Sequence, residues 1–174
     1  MIGLDLSQQL LHRAVSETAL PVIRSDLRRI PVRPRSMDIT VNLFTSFGYF
    51  ALDAEHARAM GEMVGTVRGG GFFAMDFLNA ARVPDDLVPW EQGELGGRLV
   101  QIHRWLDPVG HYVFKSITTE DGRRFVERVR LFTPPELEAL IQDAGCTVTH
   151  RLGDYDGGAL QPDSPRVILV GSVA

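Results

Sequence analysis

The chain has 174 residues, of which 44% are hydrophobic and 23% are charged, and its formal net charge is −4. These values are typical of one globular domain and exclude a disordered, collagen-like or coiled-coil protein. No apolar run reaches the roughly 18 residues that a membrane span needs, and the mild acidity argues against nucleic acid as a partner.

The first half of the chain predicts strands that alternate with helices. Short apolar runs predict strands at Ile2–Asp5, Leu20–Ile23, Met37–Phe44 and Phe72–Leu78. Apolar residues at helical spacing predict helices over Gln8–Val15, with Ser7 as its N-cap, and over Ala54–Val67, which the run Gly69–Gly71 is expected to end. The polar segment Arg24–Arg35 contains two prolines and predicts a loop.

The second half begins with extended segments separated by turn residues. The segments predict three antiparallel strands, at Arg98–Trp105, Tyr112–Thr119 and Arg123–Phe132. A helix over Pro134–Ala144, capped by Thr133 with Glu136, and strands at Cys146–His150 and Val167–Val173 follow. The pattern predicts one α/β domain over residues 1–174, with a largely parallel sheet and an antiparallel insertion over residues 98–132.

Polar residues follow several of the predicted strands. Such positions bind ligands, because the carboxyl ends of the strands in an open α/β sheet meet at one edge. They are occupied by Asp5, Asp26, Asn42, Asp76 and Asn79. A carboxylate there can bind both hydroxyls of a ribose, and Asp26 with the N–H of its neighbour can bind an adenine edge. The alternative is that Asp5 and Asp26 only cap turns, where aspartate is common.

Seven segments, in order over nearly the whole chain, resemble class I S-adenosylmethionine-dependent methyltransferases. They are residues 2–7, 25–28, 42–50 (NLFTSFGYF), 69–76, 129–134, 154–157 and 163–166. The resemblance implies a Rossmann-like sheet, S-adenosylmethionine as the cofactor and methyl transfer to a small-molecule nucleophile. It also implies the cofactor-binding residues: Asp5 and Leu6 for the ribose, Asp26 and Leu27 for adenine, and Asn42 and Leu43 for the methionine side.

One departure from the family concerns its glycine-rich loop, of GxGxG type. In the family this loop lies roughly 20 residues before the ribose acid, whereas only four residues precede Asp5 here. The family's sheet order is 3-2-1-4-5-7-6, so the strand before that loop is central. We therefore expect a methyltransferase sheet without its first strand. Either the chain is an N-terminally truncated product, or its strands pair differently from those of the family. Ile2–Asp5 is expected to pair with Thr40–Phe44 or to form an intermolecular contact.

The departure leaves two hypotheses for function. The first is a methyltransferase, or an N-terminally truncated form of one, which as given binds S-adenosylmethionine weakly or not at all. The alternative is a non-catalytic remnant of the fold that acts as a structural or oligomerisation unit. A homo-oligomer is compatible with either hypothesis, because unpaired strand edges recruit other chains.

Several residues are candidates to line a substrate site. Phe47 and Tyr49 belong to an aromatic cluster that either packs in the core or faces the sulfonium, since aromatic faces attract cations. His103 and Tyr112 lie in the antiparallel insertion, which we expect to cover the active site, and Arg130 follows in the same insertion. No residue is identified as the catalytic base.

The remaining features predict no further chemistry. Cys146 is the only cysteine and is expected to be a small core residue. The five histidines lack the spacing of metal ligands, so no metal is expected. The N-terminus lacks the basic and apolar regions of a signal peptide, and the cytoplasm is the predicted location.

Overall fold

The computed structural model describes the whole chain, Met1–Ala174, and contains ten strands and four helices. The strands are β1 (Gly3–Asp5), β2 (Val22–Arg24), β3 (Met37–Asn42), β4 (Val67–Leu78), β5 (Trp90–Leu95), β6 (Arg98–Leu106), β7 (Tyr112–Thr119), β8 (Arg124–Arg130), β9 (Cys146–Leu152) and β10 (Arg166–Val173). The helices are α1 (Gln8–Thr18), α2 (Asp53–Gly65), α3 (Val83–Asp86) and α4 (Pro134–Asp143).

Three separate sheets contain all the strands. The main sheet has the order β3-β4-β10-β9, β1 and β2 form a parallel pair, and β5 to β8 form an antiparallel meander in chain order. The α/β class with an inserted meander is therefore confirmed. The expectation of a largely parallel sheet is wrong for the main sheet, because β10 runs antiparallel to both β4 and β9.

The strands β1 and β3 do not pair with each other. β1 pairs only with β2, in the register Gly3↔Val22, and β3 pairs only with β4. The expected pairing of Ile2–Asp5 with Thr40–Phe44 is therefore wrong. The two groups, β2-β1 and β3-β4-β10-β9, follow the order that the family's sheet has on either side of its first strand.

The core lies between the main sheet and two helices, α2 and α4. Helix α2 contributes Met60, Met63 and Val64, which the spacing of the helix places on one face. Alternate residues of β4, among them Phe73 and Phe77, meet them from the sheet. Burying each large side chain stabilises the fold by about 1.5–3 kcal/mol. The buried Cys146 also belongs to this core, as its sequence context predicted.

The triple glycine does not end helix α2, contrary to expectation. The helix ends at Gly65, and Gly69–Gly71 lie inside β4, where the register with β3 shifts between Met37↔Val67 and Ile39↔Phe72. A Cβ atom on Gly71 would lie 2.7 Å from the carbonyl oxygen of Asp38. The glycines therefore allow β4 to bulge against β3 at close range.

The antiparallel meander is longer than predicted. It begins at β5 (Trp90–Leu95), so the insertion spans residues 90–130 rather than 98–132. The sequence of β5, WEQGEL, has a glycine and two glutamates, which are infrequent in strands; pairing with β6 forms the strand.

The predicted caps of α1 and α4 are confirmed, since Ser7 and Thr133 both accept hydrogen bonds from the first turn of their helices.

Candidate functional site

The carboxyl end of β3 carries a buried amide without a full set of partners. Asn42 exposes only 5% of its surface. Its Nδ2 lies 3.7 Å from the Met63 sulfur, and its Oδ1 has no hydrogen-bond partner. An unsatisfied buried acceptor costs about 1–3 kcal/mol. A donor on a bound ligand would remove this cost.

The chain leaves β3 through a turn in a rare backbone conformation. Phe44 and Thr45 have φ angles of 53° and 60°, in the left-handed region that β-branched residues such as threonine seldom adopt. Each such residue costs about 1–3 kcal/mol and persists only where the surroundings hold it. Asp76 on β4 holds the turn, since its carboxylate accepts from the Phe44 N–H at 2.9 Å and its carbonyl from the Thr45 N–H at 3.3 Å.

Asp76 is the centre of a network that joins β4, β10 and two loops. The residue is 2% exposed, and its carboxylate accepts from Tyr155 Oη at 2.9 Å and Arg166 Nε at 2.7 Å. Burial by itself raises the pKa of Asp76. The hydrogen bonds from Arg166, the Phe44 N–H and Tyr155 outweigh burial and lower this pKa below its ordinary value. Asp76 is therefore a carboxylate at neutral pH.

Tyr155 covers this network from the solvent side. Its side chain is exposed, and its ring lies 6.5 Å from the ring of Phe44. Desolvation and the hydrogen bond to Asp76 raise the pKa of Tyr155, so the hydroxyl stays protonated and donates. The sequence pointed to Asp76 as a strand-end residue, but no local pattern links it to Tyr155, which lies 79 residues later.

Asp5 serves as a capping residue and also keeps an oxygen free. It ends β1, is half-buried, and its Oδ1 accepts from the Ser7 N–H at 2.7 Å. The second carboxylate oxygen has no partner within the chain. The neighbouring Leu6 is exposed. Both interpretations of Asp5 are therefore compatible with this geometry.

Asp26, by contrast, is occupied by an internal ion pair. Its carboxylate binds Arg28 through Nε at 3.0 Å and Nη2 at 2.5 Å, and Arg28 also pairs with Glu55. These hydrogen bonds from Arg28 lower the pKa of Asp26. The side chain of Leu27 packs against the core, and its N–H donates no hydrogen bond within the chain. The Leu27 N–H therefore remains available to donate a hydrogen bond to a ligand, whereas the Asp26 carboxylate does not.

The aromatic cluster after β3 divides into core and surface residues. Phe47 is completely buried and contacts Phe132 at 5.6 Å and His56 at 5.3 Å between ring centroids, so the packing interpretation applies to it. Tyr49 is half exposed. Neither ring nitrogen of the buried His56 has a hydrogen-bond partner, and burial lowers its pKa.

The three candidates in the meander have different surroundings. His103 stacks between Trp90 and Trp105 on the sheet. Tyr112 lies beneath the guanidinium groups of Arg128 and Arg130, at 4.8 and 5.9 Å. Arg130 is itself paired with Asp53 and Glu136. The structure therefore joins Tyr112 and Arg130 in one contact and places His103 in a separate one.

The structure brings no three His, Cys, Asp or Glu side chains together in a way that could hold a metal ion. None of its helices is long and apolar enough to cross a membrane.

The chain was compared with known proteins by sequence and by structure. No family model matches it, and no curated protein is similar to it in sequence. Solved structures are similar to it over almost its entire length. An S-adenosylmethionine-dependent methyltransferase from Clostridium acetobutylicum superimposes with a TM-score of 0.82 at 14% identity, over 99% of this chain and 74% of that one.

Two further solved structures are also similar to the chain. The CcbJ methyltransferase from Streptomyces caelestis has a TM-score of 0.78 at 18% identity, with 99% and 74% of the two chains covered. The sugar N-methyltransferase KedS8 from Streptoalloteichus has a TM-score of 0.70 at 26% identity, with 99% and 70% covered. The chain therefore has the fold of S-adenosylmethionine-dependent methyltransferases.

Proposed function

We propose that this chain is an S-adenosylmethionine-dependent methyltransferase that acts on a small-molecule nucleophile. The observation that supports this best is the polar edge at the ends of β3 and β4, where Asn42 has an unpaired oxygen and Asp76 holds a strained turn. Ligands bind at such edges of α/β sheets. The similar structures include a sugar N-methyltransferase and a glycopeptide N-methyltransferase, which favours an amine acceptor.

The residues present fit S-adenosylmethionine at every expected contact except the Asp26 carboxylate. Asp5 with Leu6 would hold the ribose, the Leu27 N–H the adenine edge, and Asn42 with Leu43 the methionine half. The free oxygens of Asp5 and Asn42 suit the hydroxyl and ammonium donors of that molecule. The Asp26 carboxylate does not, because Arg28 already occupies it. When bound, S-adenosylmethionine supplies a methyl group activated by a positively charged sulfur.

Methyl transfer is an in-line displacement, and alignment of the acceptor contributes more to it than a strong acid or base. The raised pKa of Tyr155 keeps its hydroxyl protonated, so Tyr155 is not the base. In this proposal Tyr155 and Arg166 hold Asp76, and Asp76 holds the Phe44–Thr45 turn beside the acceptor. An amine that arrives uncharged needs no general base.

Calorimetric titration of the 174-residue chain with S-adenosylhomocysteine tests the proposal. We expect a dissociation constant weaker than about 10 µM, equivalent to about 7 kcal/mol, because Arg28 engages one of the two nucleoside acids. Asp5→Ala should weaken binding by about 1–3 kcal/mol relative to the parent chain, because charge-assisted hydrogen bonds are lost. Asp38→Ala, which removes an exposed acid at the opposite end of β3, is the matched control and should bind like the parent.

Two results would count against the proposal. An unchanged affinity in Asp5→Ala would remove Asp5 from the site. Absence of binding at about 1 mM ligand, where even a binding free energy of about 4 kcal/mol is visible, would contradict the proposal that this chain itself transfers methyl groups. It would leave an inactive truncated form or the alternative, a non-catalytic structural or oligomerisation unit. The cytoplasmic location and the homo-oligomer remain predictions.

A further inference from the structure

Four aromatic rings form a continuous stack on one face of the meander. Trp90 and His103 lie 3.9 Å apart between centroids at 12°, His103 and Trp105 4.8 Å apart at 23°, and Trp105 and Phe114 5.2 Å apart at 7°. Stacked rings of this kind are held by dispersion and by the offset of their quadrupoles.

The register of the strands explains why the rings meet. Trp90 on β5 is directly opposite His103 on β6, and Trp105 on β6 is directly opposite Phe114 on β7. His103 and Trp105 are two residues apart, so their side chains point to the same face. The next position across the sheet, opposite Phe114, is Arg128 on β8. The row of rings therefore ends in a guanidinium.

The stack is exposed at one end and partly exposed along the rest of its length. Trp90 exposes 67% of its surface, and the other three rings are half-buried. A row of stacked aromatic rings that reaches solvent offers apolar surface to a ligand, and exposed apolar surface of this kind commonly marks an interaction site.

Arg128 is the uncommitted charge beside the stack. No carboxylate lies within salt-bridge distance of it, and one hydrogen bond, from Nη2 to the Phe50 carbonyl at 3.2 Å, fixes it. Its guanidinium lies over the ring of Tyr112. Its neighbour Arg130, by contrast, is paired with Asp53 and Glu136. Arg128 therefore retains donors for an anionic group, and Phe50 links it to the loop that follows β3.

We infer that this face binds a planar aromatic ligand carrying an anionic group, with the ring against Trp105 and Phe114 and the anion on Arg128. Stacking selects a flat ring, and a guanidinium binds carboxylate or phosphate through paired hydrogen bonds. That this ligand is the methyl acceptor, or the part of it remote from the reacting atom, rests on the proposed function above. The binding itself requires no cofactor.

The two tryptophans of the chain both belong to the stack, so their indole N–H resonances report on it directly. We would titrate the ¹⁵N-labelled protein with 2-naphthoate and assign the two signals with Trp90→Phe. We expect a saturable shift that is larger for Trp105 than for Trp90. Cyclohexanecarboxylate, which lacks the flat ring, and 2-naphthalenemethanol, which lacks the charge, should each bind at least about tenfold more weakly.

Arg128→Gln should weaken naphthoate binding about tenfold or more, since a hydrogen bond to a charged group is lost. Arg124→Gln is the matched control: Arg124 lies on the same face of β8, is exposed, and has no acidic partner. It should bind like the parent. Phe114→Leu, a second variant that keeps the charge, should also weaken binding.

Equal affinities for naphthoate and cyclohexanecarboxylate, or for naphthoate and the alcohol, would overturn the inference, as would parental affinity in Arg128→Gln. If naphthoate binds as expected while S-adenosylhomocysteine does not, the aromatic site stands and the methyltransferase proposal fails. The reverse result rejects the aromatic site alone.

Discussion

Replacing Asp76 with asparagine tests whether its network holds the edge of the main sheet. The carboxylate accepts three hydrogen bonds, from the Phe44 N–H, Tyr155 and Arg166, at 2.7–2.9 Å. An asparagine keeps the shape but has one acceptor oxygen, and it leaves Arg166 without a counter-charge. Breaking a fully buried ion pair costs about 3–5 kcal/mol.

The expected loss is smaller than that range, because the side chain of Arg166 keeps 22% of its surface exposed and so remains partly solvated. We expect Asp76→Asn to lower the free energy of unfolding by about 2–4 kcal/mol, measured by urea unfolding at pH 7. The control is Asp38→Asn. It breaks a 2.7 Å pair with Arg68 in which both side chains are more than half exposed, and such pairs contribute at most about 1 kcal/mol.

The pH dependence gives a second measure of the same residue. The pKa of Asp76 is lowered in the folded state, so its contribution is present above the unfolded value of about 3.9 and is lost as the pH falls through the folded pKa. Asp76→Asn should therefore reduce the difference in stability between pH 7 and pH 3. A loss at pH 7 no larger than that of Asp38→Asn would refute the role assigned to the network.

Substitutions at three other places test a close strand contact, a buried histidine and a helix cap. Gly71→Ala should destabilise by about 1–3 kcal/mol, because the new Cβ would meet a carbonyl oxygen of β3 at 2.7 Å; Gly61→Ala, at an open helical position, should stabilise by up to about 1 kcal/mol, and equal effects in thermal unfolding would contradict this. The buried ring of His56 is neutral, because burial lowers its pKa. The free energy of unfolding should therefore fall as the pH drops from about 6.5, the unfolded value, towards the lower pKa of the folded state. His56→Phe should flatten this pH dependence, and an unaltered slope would argue against the assignment. Thr133→Ala should destabilise by about 0.5–2 kcal/mol through loss of the cap of α4, whereas Thr133→Ser should remain close to the parent.

The sequence alone determined those elements whose signals are local. The caps at Ser7 and Thr133 and the apolar spacing of α2 predicted helices that exist, because a cap and a helical face involve residues three or four apart. The turn residues of the meander predicted β6 to β8 for the same reason. The order of motifs indicated the methyltransferase fold, and the carboxyl ends of the strands indicated Asp5, Asn42 and Asp76.

Only the tertiary structure decided how distant residues share a site. Two roles were open for Asp26 in the sequence; in the structure its carboxylate is paired with Arg28, which also pairs with the distant Glu55, and Phe47 is buried rather than facing a ligand. The strand β5 forms because β6 pairs with it, and the Asp76–Tyr155 contact joins residues 79 apart. The aromatic row that ends in Arg128 depends on the register of four strands. Strand register and the contacts between distant side chains depend on how residues far apart in the chain pack together. Local sequence patterns therefore do not predict them.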